Sequence, residues 1–175
     1  YRNGKIICGP VSFTINKGDR IALCGKNGSG KSSLLKLLAG QTIEHSGKMT
    51  TGSGMILSYV PQDASGVQGS LRDLARKSGI EESLLKTLLS KLGLHKIQFE
   101  KDMQNLSDGQ KKKVLLAKSL CERAHLYIWD EPLNFIDIYS RIQLEELINS
   151  ASPTIVFAEH DETFRNAIGA KTIEL

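Results

Sequence analysis

GKNGSGKSS, residues 25–33, places three glycines, two lysines and three serines between two apolar runs. Residues 25–32 fit the pattern G-x-x-x-x-G-K-[ST]; they follow a strand-like run at 21–24 and precede a helix-like segment that opens at Lys31. Glycines let successive backbone N–H groups converge on one point, and the helix that follows turns its positive end to the same point. The stretch therefore predicts a phosphate-binding loop in an α/β domain.

The residue types of this loop are those that hold a triphosphate. Lys31 is expected to reach the β- and γ-phosphates, and the Ser32 hydroxyl to bind Mg²⁺. The other nucleotide-binding candidates are Asn27, Gly28, Ser29, Gly30 and Ser33. The alternative is an ordinary glycine turn that caps a helix, but the order of strand, loop and helix favours the phosphate site.

Composition narrows the class of protein. The 175 residues are enough for one domain with a sizeable core, and 23 Lys and Arg against 19 Asp and Glu give a formal charge of +4, far below that of a nucleic-acid arm. Three cysteines without a C-x-x-C pair indicate reduced thiols and a cytoplasmic protein. No apolar run approaches the roughly 18 residues of a membrane span, so a membrane role would require another chain.

Apolar runs alternate with helix-like segments along the chain, which predicts a mostly parallel sheet with flanking helices. The expected strands are 6–8, 11–15, 20–24, 55–60, 126–130, 154–159 and 172–175. The expected helices are 31–39, 70–77, 82–92, 108–122 and 137–149. Residues 65–105 carry leucines at helical spacing and no convincing strand, so we expect a helical subdomain inserted into a core formed by 1–64 and 106–175.

Two adjacent acids, Asp130 and Glu131, end an apolar strand. Asp130 is expected to hold Mg²⁺ through water, and Glu131 to take a proton from the water that attacks the γ-phosphate. Two solvated acids at a strand end are the alternative, and they are common in isolation. The phosphate loop upstream favours the catalytic interpretation.

With these residues the sequence resembles the nucleotide-binding cassette of the ABC ATPase superfamily over essentially its whole length. The resemblance implies a P-loop fold with an N-terminal antiparallel β portion and a short inserted helical lobe, and ATP and Mg²⁺ as ligands. Four further motifs support the resemblance. It implies that Tyr1 is the aromatic residue that stacks on adenine, and that Gln62 touches Mg²⁺ and the attacking water. It also implies a signature made of Ser107, Gly109 and Gln110, with Asp108 in place of its first glycine, and a contact of His160 with the γ-phosphate. Stacking on Tyr1 would accept ATP or GTP, so the choice of base stays open.

In this family the signature of one cassette closes over the phosphates of a second cassette. The resemblance therefore implies hydrolysis at a head-to-tail interface, with a partner cassette in the same polypeptide or in a homodimer.

The run WDEPLNFID, residues 129–137, resembles the second cassette of ABC-F antibiotic-resistance proteins, which act on the bacterial ribosome. We therefore expect the C-terminal cassette of such a protein, with the ribosome and its RNA as partners. Lysines 111–113 are interpreted as RNA contacts or, with greater weight, as a solvated helix face. The alternative function is the ATP-driving subunit of a membrane transporter, with its membrane partner beside Gln62 and the helical lobe.

Overall fold

The structure, a computed structural model, describes residues 8–175. Its strands are β1 (Arg20–Cys24), β2 (Leu57–Val60), β3 (Leu126–Asp130), β4 (Ile155–Ala158) and β5 (Lys171–Glu174). Its α-helices are α1 (Lys31–Leu38), α2 (Leu71–Ser78), α3 (Glu82–Lys91), α4 (Asp108–Cys121), α5 (Ile138–Ala151) and α6 (Glu162–Ala167), and two 3₁₀ turns occupy Lys96–Gln98 and Met103–Asn105. The strands form one sheet in the order β2-β3-β4-β1-β5, and β1 pairs in parallel with β4 and β5, as does β3 with β4. The predicted α/β fold with a mostly parallel sheet is confirmed.

The core of the sheet is apolar along entire strands. All four residues of β4 are buried, as are Ile21, Leu23 and Ile128 of its neighbours, and Leu35 of α1 packs against them. Strands covered on both faces read as continuous apolar runs, which is why these segments could be recognised in the sequence. Because the strands are parallel, the ends of β1, β3 and β4 meet at one edge, where ligands of such sheets bind.

The predicted strand at 11–15, in the N-terminal β portion, is not found in the structure. Within residues 8–19 there is no strand, so the prediction for 11–15 is wrong. Phe13 and Ile15 are instead partly buried against the core of the sheet. Their alternation reflects side-chain packing and not a hydrogen-bonded ladder. Most of the predicted strand 6–8 lies outside the described residues.

One short helix was not predicted from the sequence. Asp161 Oδ1 accepts a hydrogen bond from Phe164 N at 2.8 Å and so caps α6, whose buried Phe164 packs edge-on against Phe157 of β4. Six residues are too few for a visible helical period, and the N-cap aspartate was the available signal.

The chain divides into two compact units. In the described residues the first unit is 8–59, Ala124–Glu131 and Ser152–Leu175, and it carries the sheet, α1 and α6; β2 ends one residue beyond its boundary. The second unit, Val60–Arg123 and Pro132–Ala151, carries α2 to α5. The predicted insertion 65–105 falls inside this second unit, which also includes α4 and α5, and its limits stay a prediction. In the described part of the chain, no helix combines the length and apolar character that a bilayer crossing demands.

Candidate nucleotide-binding and catalytic site

The loop between β1 and α1 has a backbone that requires glycine. Gly25 has a φ of 141°, and a Cβ there would lie 2.7 Å from Leu175 O and 2.8 Å from Ser29 Oγ. Gly28 and Gly30 also have positive φ, 83° and 99°. The left-handed conformations turn the chain sharply into α1, as expected of a loop built from backbone donors.

Helix α1 begins without the usual caps. Its N-cap is Gly30, which offers no side-chain acceptor, and its first turn contains no acid. The first amides of a helix need an outside acceptor, and an anion is suited to this positive end. The Ser29 hydroxyl is also buried and has no hydrogen-bond partner within residues 8–175. These donors fit phosphate oxygens.

Lys31 lies across the same loop. Its side chain is buried, and Nζ donates to Gly25 O at 2.8 Å and to Lys26 O at 3.0 Å. Lysine is rarely buried unless its charge is satisfied. The two carbonyls hold the ammonium group at the loop, from where it can pair with phosphate as predicted.

Ser32 and Asp130 are brought together from distant parts of the sequence. Ser32 Oγ donates to Asp130 Oδ1 at 3.0 Å, and Asp130 is 1% exposed at the end of β3. A hydroxyl and one carboxylate, completed by phosphate oxygens and water, are a donor set that Mg²⁺ prefers. Ser32 and Asp130 fit a metal whose other ligands belong to a phosphorylated molecule. Among residues 8–175 no cluster of three or more His, Cys, Asp or Glu side chains could hold a metal.

Tyr59 reports the electrostatic environment of Asp130. Burial, and then the negative charge of Asp130, raise the pKa of Tyr59 to about 12. Its hydroxyl is buried and has no hydrogen-bond partner in the described chain. The phenol of Tyr59 is therefore neutral, and the negative charge of Asp130 at this edge of the sheet is one of the two causes.

Glu131 has an unusual backbone for its residue type. Its φ is 47°, and its N–H donates to Ala158 O at 3.0 Å. A positive φ in a residue other than glycine costs energy and persists where the surroundings hold it. The turn leaves the side chain partly exposed just beyond Asp130, where a carboxylate can meet solvent.

The turn after β4 positions the predicted histidine. His160 is exposed, and its backbone N–H donates to Glu159 Oε1 at 2.8 Å, as does Asp161 N at 3.2 Å. Glu159 is 7% exposed. No role for Glu159 was predicted from the sequence. The available signal for this carboxylate, which accepts both backbone hydrogen bonds of the turn, was an acid at the end of a buried strand next to the histidine.

The signature residues lie in the second unit, at the start of α4. Ser107 Oγ accepts from Gln110 N at 3.3 Å, and Gln110 Oε1 accepts from Ser107 N at 3.1 Å, which together form a capping box. Asp108 is exposed in the first turn, where its charge stabilises the helix but opposes an approaching anion. Gly109 lies so close to the loop before α5 that a Cβ would be 2.4 Å from Phe135 O.

Gln62, also in the second unit, is exposed. Tyr1 lies outside the described residues. The assignments of all these residues to nucleotide binding, metal binding and catalysis stay predictions.

The interpretation of lysines 111–113 was wrong for two of them. Lys112 is 1% exposed and Lys113 is 8% exposed, so neither is on a solvated face or accessible to RNA. Lys113 Nζ binds Asp137 Oδ2 at 2.6 Å, and Lys112 Nζ binds backbone carbonyls. Their partners are far away in sequence, which is why the lysines looked like an exposed run.

The chain is similar to known proteins in sequence and in structure. A sequence model of the family described as "ABC transporter" matches residues 8–134. The chain is 32% identical to the putative ATP-binding protein YdiF of Bacillus subtilis, over 100% of this chain and 28% of that protein. It is 29% identical to ABC transporter F family member 2 of Arabidopsis thaliana, over 98% of this chain and 26% of that protein. The chain thus spans little more than a quarter of these relatives.

Two further proteins are similar over most of the chain. The zinc import ATP-binding protein ZnuC of Acinetobacter baylyi is 29% identical over 92% of this chain and 64% of its own length. A chain in the crystal structure of the complex of archaeal ribosomal stalk protein aP1 and the archaeal ribosome recycling factor aABCE1 superimposes with a TM-score of 0.75, at 26% identity, over 91% of this chain and 32% of that chain.

Proposed function

Because the chain belongs to the ABC transporter family of ATP-binding cassettes, we propose that it hydrolyses Mg-ATP at a head-to-tail interface with a second cassette, as part of a cytoplasmic ABC-F protein that acts on the bacterial ribosome. The observation that carries the ATPase part is the gathering of Lys31 Nζ, Ser32 Oγ and Asp130 Oδ1 at the carboxyl edge of the sheet. These atoms are contributed by a loop and a strand that are far apart in sequence.

The loop binds the triphosphate. The Lys31 ammonium group exchanges the carbonyls of Gly25 and Lys26 for β- and γ-phosphate oxygens. Further donors are provided by the same bend and by the first turn of α1: Asn27, Gly28, Ser29, Gly30, Ser32 and Ser33. Tyr1 stacks on the base.

The metal site uses oxygen ligands. Mg²⁺ would be held by Ser32 Oγ directly, by Asp130 through water and by the side-chain oxygen of Gln62. Mg²⁺, when bound, neutralises charge on the β- and γ-phosphates.

Hydrolysis needs a base and a second cassette. Glu131 accepts the proton of the attacking water, and His160 contacts the γ-phosphate. The partner cassette contributes its Ser107, Gly109 and Gln110 at a helix N-terminus, which is a suitable place for phosphate oxygens.

The ABC-F and ribosomal part of the proposal is supported by one relative, by one similar structure and by the sequence. One relative is named as an F family member, and one similar structure contains a ribosome recycling factor. The residues before α5, with Asn134 and Asp137, resemble ABC-F antibiotic-resistance proteins more than transporters. The second candidate function is the ATP-driving subunit of a transporter, and the similarity to a zinc import ATP-binding protein favours it.

The deciding experiment uses Glu131→Gln in the complete polypeptide. Removal of the base should leave Mg-ATP bound and stop most turnover, which traps the ATP-bound state. We expect this variant to sediment with bacterial ribosomes when ATP is present. Recovery with the membrane fraction and absence from the ribosomal pellet would select the transporter function.

Glu44→Gln is the matched control, since it makes the same change in an exposed loop residue of the first unit. It should hydrolyse ATP at the wild-type rate and release from ribosomes. Equal turnover in Glu131→Gln and Glu44→Gln would remove Glu131 from the role of base.

The role of Ser107 is tested by comparing it with Ser70, a second serine that caps a helix. Ser107→Ala and Ser70→Ala each remove the serine that caps a helix, α4 or α2, at a similar cost of about 1 kcal/mol. Only Ser107→Ala should abolish hydrolysis, while ATP still binds to the Lys31 loop. Equal loss of hydrolysis in both variants would reduce Ser107 to a structural cap.

A further inference from the structure

Lys112 places a positive charge in the interior of the second unit. The residue is 1% exposed, and its Nζ donates to Pro61 O at 2.8 Å and to Gln62 O at 3.2 Å. A buried ammonium group is costly unless good acceptors surround it. Here two of these acceptors are backbone carbonyls of the segment that contains Gln62, so the position of that backbone depends on the charge.

The segment held by Lys112 is itself ordered by local contacts. Asp63 accepts hydrogen bonds from Ser65 N at 2.8 Å and Ser65 Oγ at 2.7 Å. These bonds first, and then the charges of Lys112 and Lys111, hold the pKa of Asp63 below its usual range. A fixed point at Pro61 and Gln62 therefore sets the position of the whole turn 61–65.

Lys112 links the segment that contains Gln62 to α4, the helix that begins with the signature. Lys112 stands in α4, which begins with the Ser107 capping box. The next residue, Lys113, binds Asp137 at the start of α5, and Gly109 lies against Phe135 O. Two consecutive lysines of one helix thus bind the two segments on which Gln62 and Asp137 lie.

We propose that Lys112 is a positioning residue of the ATPase, which fixes the Gln62 backbone to the signature helix so that Gln62 and Ser107 move together. The proposal rests on the proposed function, because Lys112 acts through Gln62. If Lys112 were only structural, its replacement would destabilise the second unit, and its effect on hydrolysis would not depend on Gln62. The two experiments below separate these roles.

The first experiment measures how firmly Lys112 holds the backbone around Gln62, and it needs neither nucleotide nor hydrolysis. In the complete protein, Lys112→Met keeps an unbranched side chain of similar volume but removes the donors. We expect amide hydrogen exchange in residues 62–67 to accelerate at least about tenfold. The matched control is Lys111→Met, the same change one residue earlier in α4 at a partly exposed side chain. Equal exchange in the two variants would overturn the proposal.

A second variant, Lys112→Gln, keeps the proposal testable if Lys112→Met does not fold. Lys112→Gln keeps a neutral amide donor on a side chain that is one atom shorter than that of lysine, and we expect amide exchange in residues 62–67 to rise at least about threefold. Exchange at the wild-type rate in this variant would also overturn the proposal.

The second experiment measures the action through Gln62. Lys112→Met should lower kcat about tenfold or more and change the Kd for Mg-ATP no more than Gln62→Ala does. In the double variant with Gln62→Ala, kcat should be no lower than in Gln62→Ala alone, because the two changes remove the same function. Multiplicative losses would show that Lys112 acts independently of Gln62 and would refute its positioning role.

The proposed function can fail separately. If Gln62→Ala hydrolyses ATP at the wild-type rate, the assignment of Gln62 to catalysis is wrong and with it the catalytic role of Lys112. The exchange comparison would still decide whether Lys112 holds this segment.

Discussion

Replacement of Gly109 by alanine should destabilise the protein, although the same change normally stabilises a helix. Gly109 is the second residue of α4. A Cβ built there would lie 2.4 Å from Phe135 O and 3.4 Å from Phe135 C. The obstructing atom is a backbone carbonyl oxygen and cannot rotate away as a side chain would. The loop before α5, or the start of α4, must therefore shift.

The size of the change in stability follows from two opposing effects. Alanine is favoured over glycine inside a helix by roughly 0.5–1 kcal/mol. Overpacking of a well-packed contact costs about 1–3 kcal/mol. Phe135 already has a φ of 63°, so its backbone has little freedom to move without further strain. Because overpacking outweighs the gain in helix propensity, we expect a net loss of unfolding free energy of up to about 2.5 kcal/mol.

Urea unfolding of Gly109→Ala at constant m-value measures this difference. Gly18→Ala is the control for strain without a clash, since Gly18 has a φ of 85° and no atom within 4 Å of a built Cβ. The double variant Gly109→Ala with Phe135→Gly should recover part of the loss, because glycine relaxes the backbone that carries the carbonyl. A gain in stability for Gly109→Ala, or strict additivity in the double variant, would refute the proposed contact.

Two further predictions concern charged side chains. Lys31→Ala should abolish tight Mg-ATP binding in a fluorescent-nucleotide assay, whereas Lys26→Ala, an exposed lysine of the same loop, should not; equal affinities would contradict the role of Lys31. Burial alone would raise the pKa of Asp137, but hydrogen bonds from Lys113 and then from Ser140 hold this pKa well below 3.8. The ionised carboxylate therefore stabilises the folded protein above pH 3.8, and this stabilisation is lost as the pH falls from 3.8 through the folded-state pKa. Asp137→Asn should therefore lose less stability on acidification below pH 3.8 than wild type in urea titrations, and a parallel pH profile would refute this; Asp108→Asn, at an exposed carboxylate, is the control.

The sequence could predict the phosphate loop and the acid pair because each is a local pattern in a recognisable place. Residues 25–32 needed only a strand before them and a helix after them. Asp130 needed only the end of an apolar strand. The rule that parallel strands end at one edge then implies that Ser32 and Asp130 meet, and they do, at 3.0 Å.

Long-range partners could not be predicted in the same way. Lys112 and Lys113 occur in a run of three lysines, and the composition of that run favours solvent. Their burial depends on carbonyls and a carboxylate contributed by other segments of the second unit. The strand assigned to 11–15 failed for a related reason, since alternation predicts which side chains are covered but not whether another strand pairs with the backbone.

The backbone conformations of the turns at Glu131 and Phe135 also could not be predicted from the sequence. Glu131 and Phe135 are not glycines, yet their φ values are 47° and 63°. Such conformations cost about 1–2 kcal/mol each in residues with a Cβ. They persist because a hydrogen bond from Glu131 N to Ala158 O holds the first and the close packing of Phe135 against Gly109 holds the second. Local preference would place asparagine or glycine at such positions, so these two conformations could not be predicted from the residue types found there.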